Sequence, residues 1–256
     1  MTTTTGAPPL SLPLEPGIAR PLALELAANE YDRYTDQLRA LSPADWSKQT
    51  DCPAWDVRAM AAHSLGMAEM SASVLETARQ MRAASKRQGD GEQIDALTAV
   101  QVDKHLHREP AELIRRFAEV GPRATRGRRR TPSFARKRNM PGDQLIGESR
   151  ERWRLGFLVD VCYTRDVWMH RMDIAKATDR DPVLTADHDG VLVADIVREW
   201  ASRHGQACSL TLTGPAGGTW TWGGGGPSYE LDAVEFCRML SGRASGEGLL
   251  KTQVPF

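Results

Sequence analysis

Asp166 and His170 stand four residues apart in a stretch of helical periodicity, so their side chains project from one face about one turn apart. A carboxylate and an imidazole placed this way can share one divalent metal ion. Asp173 comes next on that face and is suited to accept the other ring N–H of a ligand histidine, fixing its orientation. His63 belongs to an earlier helix, seven residues after Asp56. Its local face carries Met60, Met67 and Met70, so its imidazole points inward and needs a polar partner. Two histidines and one carboxylate from two facing helices make an open three-ligand site, with positions left for water or a substrate atom. Such a ligand set suits zinc, iron(II) or nickel. The plainer alternative is a buried His63 satisfied by a backbone or aspartate partner, beside a solvated Asp166–His170 ion pair. Spacing alone does not choose between the two.

Apolar periodicity predicts the helices that must carry these residues. A first runs from about Ile18 to Leu41, and Ser42-Pro43-Ala44-Asp45 breaks it. A second starts after Asp56, whose carboxylate can cap free backbone N–H groups, and is expected to reach about Arg82. Lys86 to Glu92 reads as a loop, and Glu92 to His107 as a third helical region. Pro110 suits the first turn of a further helix to about Val120. Residues 121–149 are rich in Gly, Pro and Arg and read as a long irregular connection. From Ser149 to Ala177, Trp153, Phe157, Val161, Trp168 and Met172 recur at helical spacing, and Asp179-Arg180-Asp181-Pro182 ends the run. The expectation is mostly α: an antiparallel bundle of four long helices over residues 17–181. Residues 182–256 change character. A helix from Gly190 to His204 closes at Gly205, short alternating strands follow at Ser209–Thr213, Thr219–Trp222 and Tyr229–Leu231, and Asp232 can cap a last helix through Leu240. This predicts a small α+β unit packed on the bundle. Residues 1–16, dominated by Thr and Pro, read as a mobile tail or extended strap and lack the features of a signal peptide.

Composition bounds the partners. Lys+Arg and Asp+Glu each number 33, so no global charge argues for nucleic acid or a membrane surface. The longest apolar runs fall far short of a membrane span. Cys52, Cys162, Cys208 and Cys237 are scattered, without metal-finger spacing, and suit reduced thiols in the cytoplasm. Residues 123–138 hold eight basic residues and no acid. A solvated loop, or a rim attracting an anionic substrate, is the preferred reading over a nucleic-acid patch. Gly223 to Gly226 lack the Lys-Ser/Thr of a phosphate loop and read as a hairpin turn. Trp220 and Trp222 share a strand face and read as packing. His105, His107, His188 and His204 read as structural or exposed, and Cys52 as a packing thiol rather than a nucleophile.

Several stretches resemble the mycothiol-dependent maleylpyruvate isomerase family. They are Leu41-Ser-Pro-Ala-Asp-Trp46, Thr50-Asp-Cys-Pro-Ala-Trp-Asp-Val-Arg58, Ala61-Ala-His63, Thr164-Arg-Asp-Val-Trp-Met-His-Arg-Met-Asp-Ile174, Leu240-Ser-Gly-Arg243 and Gln253-Val-Pro-Phe256. They occur in the family's order and span most of the chain. The resemblance implies a DinB-like four-helix bundle followed by a small C-terminal domain. It implies a divalent metal, zinc or similar, at His63, Asp166 and His170. It implies mycothiol as thiol co-substrate, and a role for Arg243 near the thiol or substrate, as a carboxylate clamp. This chain has Asp166 where the characterised isomerase type has Glu, one methylene longer, which weakens the case for the maleylpyruvate reaction more than the case for a metal.

The expected function is therefore a metal-dependent thiol enzyme, an isomerase or S-transferase acting on an electrophilic small molecule. The alternatives are a hydrolase or oxygenase using the same site, or a non-catalytic binding module. The facial triad of an oxygenase is usually built on strands as H-x-D/E, and that pattern is missing.

Overall fold

The computed structural model describes residues 17–256, so the tail expected over residues 1–16 lies outside the described residues. Four long helices build the frame: α1 (Arg20–Arg39), α2 (Val57–Ala72), α5 (Pro110–Arg130) and α8 (Tyr163–Ala177). Two more, α3 (Val74–Arg87) and α4 (Gln93–His105), form a hairpin on the outside of α2. A short α6 (Ser133–Arg136), a two-strand hairpin of β1 (Gln144–Ile146) and β2 (Ser149–Glu151), α7 (Leu155–Phe157) and a π-helical turn (Leu158–Cys162) lead into α8. Among the described residues no helix is long and apolar enough to cross a membrane.

The bundle is not simply antiparallel in chain order. Arg20 at the start of α1 bonds the Arg128 and Arg129 carbonyls at the end of α5, while Tyr34 packs on Phe117, so these helices run oppositely. Gln37 reaches the Arg171 carbonyl and Arg20 lies 3.8 Å from Asp160, so α1 and α8 run the same way. Ser71 lies against Gly127, which sets α2 alongside α5.

Three local expectations change. The second helix does not run on to Arg82. It breaks at Ser73, whose extended backbone and hydroxyl cap a new helix by accepting from Glu76 N–H at 3.4 Å. The connection expected over residues 121–149 is largely ordered, because α5 continues through Pro122 to Arg130. Its buried stripe of Leu113, Phe117, Val120, Ala124 and Arg128 keeps helical spacing past the proline, so packing outweighs the lost backbone bond. Ser149–Glu151 is a strand and the last bundle helix starts at Leu155.

The C-terminal part follows its expected elements closely. After α9 (Asp189–His204), Gly205 adopts φ 62° and closes the helix. Strands β3 (Cys208–Thr213), β4 (Gly218–Trp222) and β5 (Ser228–Asp232) form a sheet of order β4-β3-β5, antiparallel at β4 and parallel at β5. Asp232 caps α10 (Ala233–Leu240) by accepting from Val234 and Glu235 N–H. This layer shares one apolar core with the outer faces of α1 and α8, where Leu26, Trp168 and Met172 meet Val193, Trp200 and Phe236. Arg165, 1% exposed, fastens the two parts by pairing with Asp195 at 2.7 Å and Glu199 at 2.6 Å on α9, and by donating to the Pro255 carbonyl.

The close approach of α5 to the end of α2 needs glycine at 127. A Cβ there would stand 2.0 Å from the Ser71 carbonyl oxygen, a backbone atom with little room to yield. Gly127→Ala is expected to destabilise the fold by about 1–3 kcal/mol, the usual cost of overpacking. Denaturant unfolding measures this, and an unchanged midpoint would show that the contact is loose.

Candidate metal centre

The turn before α2 is held by its own hydrogen bonds. Thr50 N–H and hydroxyl both donate to the Trp55 carbonyl, at 3.2 and 2.7 Å, and Trp55 N–H donates to Cys52 at 2.9 Å. Val57 N–H donates to Lys48, and Asp56 accepts from Ala59 N–H at 2.8 Å, which starts α2 in a fixed direction. That start aims His63 inward, 4% exposed, towards α8. Trp55 lies over it, with ring centroids 4.8 Å apart and planes inclined by 30°, and meets His170 edge-on at 5.8 Å.

The structure brings His63, Asp166 and His170 together. His63 Nε2 lies 3.7 Å from Asp166 Oδ2, and His170 Nε2 lies 3.4 Å from Asp166 Oδ1. One donor atom from each of the three falls within 4.8 Å of the others. Two ligands each about 2.0–2.1 Å from a tetrahedral ion stand about 3.4 Å apart, so the spacing matches a shared metal. The shorter side chain of Asp166 reaches the centre. Two buried atoms at this point strengthen the fit: Asp166 Oδ2 and His170 Nε2 have no hydrogen-bond partner among the described residues, and neither has His63 Nδ1, whose ring turns Nε2 towards Asp166. The nearest carboxylate to His63 is Asp166, at 3.7 Å, beyond ordinary hydrogen-bond length, and buried polar atoms left this way call for an additional partner.

His170 is oriented from behind. Its Nδ1 pairs with Asp173 Oδ2 at 3.2 Å, which turns Nε2 towards Asp166 and His63. Asp173 is fully buried and accepts from Arg243 Nε at 2.7 and 2.9 Å. Burial raises the Asp173 carboxyl pKa, but the His170 hydrogen bond and the Arg243 charge outweigh it and hold it below the ordinary value. Burial likewise raises Asp166, and the two imidazoles overcome this to leave its pKa well below the usual carboxylate range. Burial alone would depress His170, yet Asp166 and Asp173 together push it up to about 9.

Cys52 also borders the centre, its sulfur within 4.8 Å of a His170 nitrogen and an Asp173 oxygen. Burial, opposed by Arg243, pushes its pKa up to about 11, so it is a neutral thiol at pH 7 and a poor nucleophile. Its nearness to His170 depends on the folded turn, although Cys52 and Trp55 both stand in the quoted Thr50–Arg58 motif. Arg243 sits beside the centre, but its observed bonds are to Asp173.

A second buried cluster joins Glu30, His188 and Asp189. Here arginines already neutralise the carboxylates. Arg171 pairs with Glu30 at 2.8 Å and with Asp189, Arg33 pairs with Asp189 at 3.2 Å, and His188 Nε2 meets Glu30 at 2.7 Å. This network ties α1, α8 and the start of α9 together rather than offering ligands. His105 is buried too, between Glu69 at 3.1 Å and Arg108 at 3.0 Å, so it is structural.

Residues 27–175 match the sequence profile of the mycothiol maleylpyruvate isomerase N-terminal domain. Two solved structures resemble this fold. One is a mycothiol-dependent maleylpyruvate isomerase, at 19% identity and TM-score 0.55. The other is a histidine-to-alanine mutant of a mycothiol-dependent maleylpyruvate isomerase, at 17% identity and TM-score 0.54. Each comparison covers 89% of this chain and 91% of the other. At such identity the likeness is one of fold. No curated protein matches this chain.

With its pKa raised to about 9, metal-free His170 is protonated at pH 7, and a metal must displace that proton. Metal uptake at pH 7 is expected to release about one proton, and apparent affinity to rise by about tenfold per pH unit until the pH nears 9. Calorimetry in buffers of different protonation enthalpy checks this. An affinity that is flat across the range would contradict it.

Proposed function

The chain belongs to the mycothiol maleylpyruvate isomerase N-terminal domain family, and on that footing we propose that it is a metal-dependent enzyme using mycothiol to attack an electrophilic small molecule. The observation that carries the proposal is the convergence of His63, Asp166 and His170, with one donor atom of each within 4.8 Å of the others and with Asp166 Oδ2 and His170 Nε2 buried without a hydrogen-bond partner. These residues would hold a divalent ion, and zinc is among those that the donor set suits. A thiol coordinated to such an ion is deprotonated and becomes a strong nucleophile.

The chain's own residues do the rest. His63 and Asp166 come from different helices, so the centre forms only when α2 and α8 are packed together. Asp173 holds the His170 ring. Trp55 covers the His63 face and excludes water from that side. The mycothiol thiolate then follows one of two courses. It adds to an activated double bond and leaves after rotation, as an isomerase requires, or it displaces a leaving group and stays attached, as an S-transferase requires. The same reading divides the chain into a metal-binding bundle over 17–181 and an α+β unit over 182–256, which the profile match ending at residue 175 supports. A cytoplasmic location accords with four free thiols. Nucleic acid and membrane stay outside the reading. Two of the eight basic residues in 123–138 have structural partners, Arg128 on Thr164 and Arg136 on Asp160.

Metal analysis of the purified protein is expected to give close to one ion per chain in the wild type. Occupancy should fall to about a tenth or less in His63→Ala and His170→Ala. Mycothiol is expected to raise the thermal midpoint of the metal-loaded protein and leave the metal-stripped one unchanged. Equal metal content in the variants would sink the ligand assignment. A metal-loaded protein indifferent to mycothiol would sink the thiol assignment.

A further inference from the structure

The C-terminal unit sends two arginines back into the bundle beside the metal centre. After α10 the chain turns at Gly242, where φ is 78°, a conformation that favours glycine. Arg243 N–H then donates to the Arg238 carbonyl at 2.8 Å, closing the turn. This places the Arg243 side chain, 15% exposed, over Asp173. Arg238 arrives at the same point from within α10. It pairs with Asp51 in the turn before α2 and stands 4.0 Å from Asp173 Oδ1.

We propose that Arg243 is a positioning residue for the metal centre, acting through Asp173 on His170. The claim rests on the metal reading above and deepens it. Arg243 Nε contacts both oxygens of Asp173, at 2.7 and 2.9 Å, and the same carboxylate pairs with His170 Nδ1 at 3.2 Å. The carboxylate is fully buried, so its position is set by these side-chain partners rather than by solvent. Removing Arg243 leaves the more distant Arg238 and the imidazole itself. The carboxylate is then free to shift towards Arg238, and it holds the His170 ring less firmly. A guanidinium engaged in this way serves the ligand histidine before it serves any substrate carboxylate. The α+β unit thereby becomes a working part of the metal centre, although it supplies none of the three ligands.

The test uses full-length protein and zinc alone. The zinc dissociation constant is measured by competition with a chromophoric chelator at fixed pH, and the thermal midpoint of each metal-free form is recorded beside it. Asp173→Asn and Arg243→Gln are each expected to weaken zinc binding by about 10- to 100-fold, the usual effect of losing an outer partner of a ligand histidine. The double variant should be no weaker than Asp173→Asn alone, because both changes cut one chain of contacts. Arg243→Lys, which keeps the charge, should recover part of the affinity, and it carries the comparison if the glutamine variant does not fold. Arg243→Gln binding zinc within about twofold of the wild type would overturn the proposal. So would losses that multiply in the double variant, since these would mean Arg243 acts apart from Asp173. A wild type that takes up no zinc overturns the metal reading itself and is distinct from either result.

Discussion

The imidazole of His170 is gripped between two carboxylates, and the centre depends on that grip. Asp173 holds Nδ1 from behind, and Asp166 faces Nε2 from the front across 3.4 Å. The arrangement is costly without a cation, since it gathers two buried or nearly buried acids around one ring. In the metal-free chain a proton on His170 meets part of that need, which is why its pKa lies near 9. On the proposed function a divalent ion would meet it better, by engaging His63, Asp166 and His170 together.

Holding this geometry is a matter of the register of α8. On one side α8 presents Asp166, His170 and Asp173 to the centre. On the others it is pinned by arginines that leave it little freedom to rotate or slide. Arg165 is tied to Asp195 and Glu199 on α9, and Arg171 to Glu30 on α1 and Asp189 at the start of α9. Breaking one partner of such a buried pair typically costs about 3–5 kcal/mol. The apolar core shared by α1, α8, α9 and the sheet works in the same direction. The second anchor is α2, started by the Asp56 cap and steadied by the Thr50–Trp55 turn, so His63 arrives opposite Asp166.

Much of this was legible in the sequence where a feature is local. The four-residue step from Asp166 to His170, the Asp56 and Asp232 caps and the Gly205 stop each have a mechanism confined to one or two turns of chain. The failures came where local and tertiary signals disagree. Pro122 and the arginines after it read as a loop, but the buried stripe from Leu113 to Arg128 carries the helix through. The break at Ser73 does have a local signal, since Ser73-Val-Leu-Glu76 has the S-x-x-E spacing of a helix start. The family resemblance implies a role for Arg243 near the thiol or substrate, but its bond to Asp173 joins residues 70 positions apart and no spacing reveals it. The same holds for Trp55 over His63 and for Cys52 beside His170. These contacts follow from how the turn folds back over α2.

The central claim is that His63, Asp166 and His170 hold a metal that receives a thiol. X-ray absorption at the metal edge of the zinc-loaded protein tests it most directly, before and after mycothiol is added. The account predicts two imidazoles and light-atom ligands with no sulfur at first, and then one sulfur neighbour at about 2.3 Å with mycothiol present. Sulfur already bound before mycothiol is added would mean that a cysteine of the chain is a ligand, and an unchanged spectrum afterwards would mean that the thiol does not reach the metal. Either result contradicts the account.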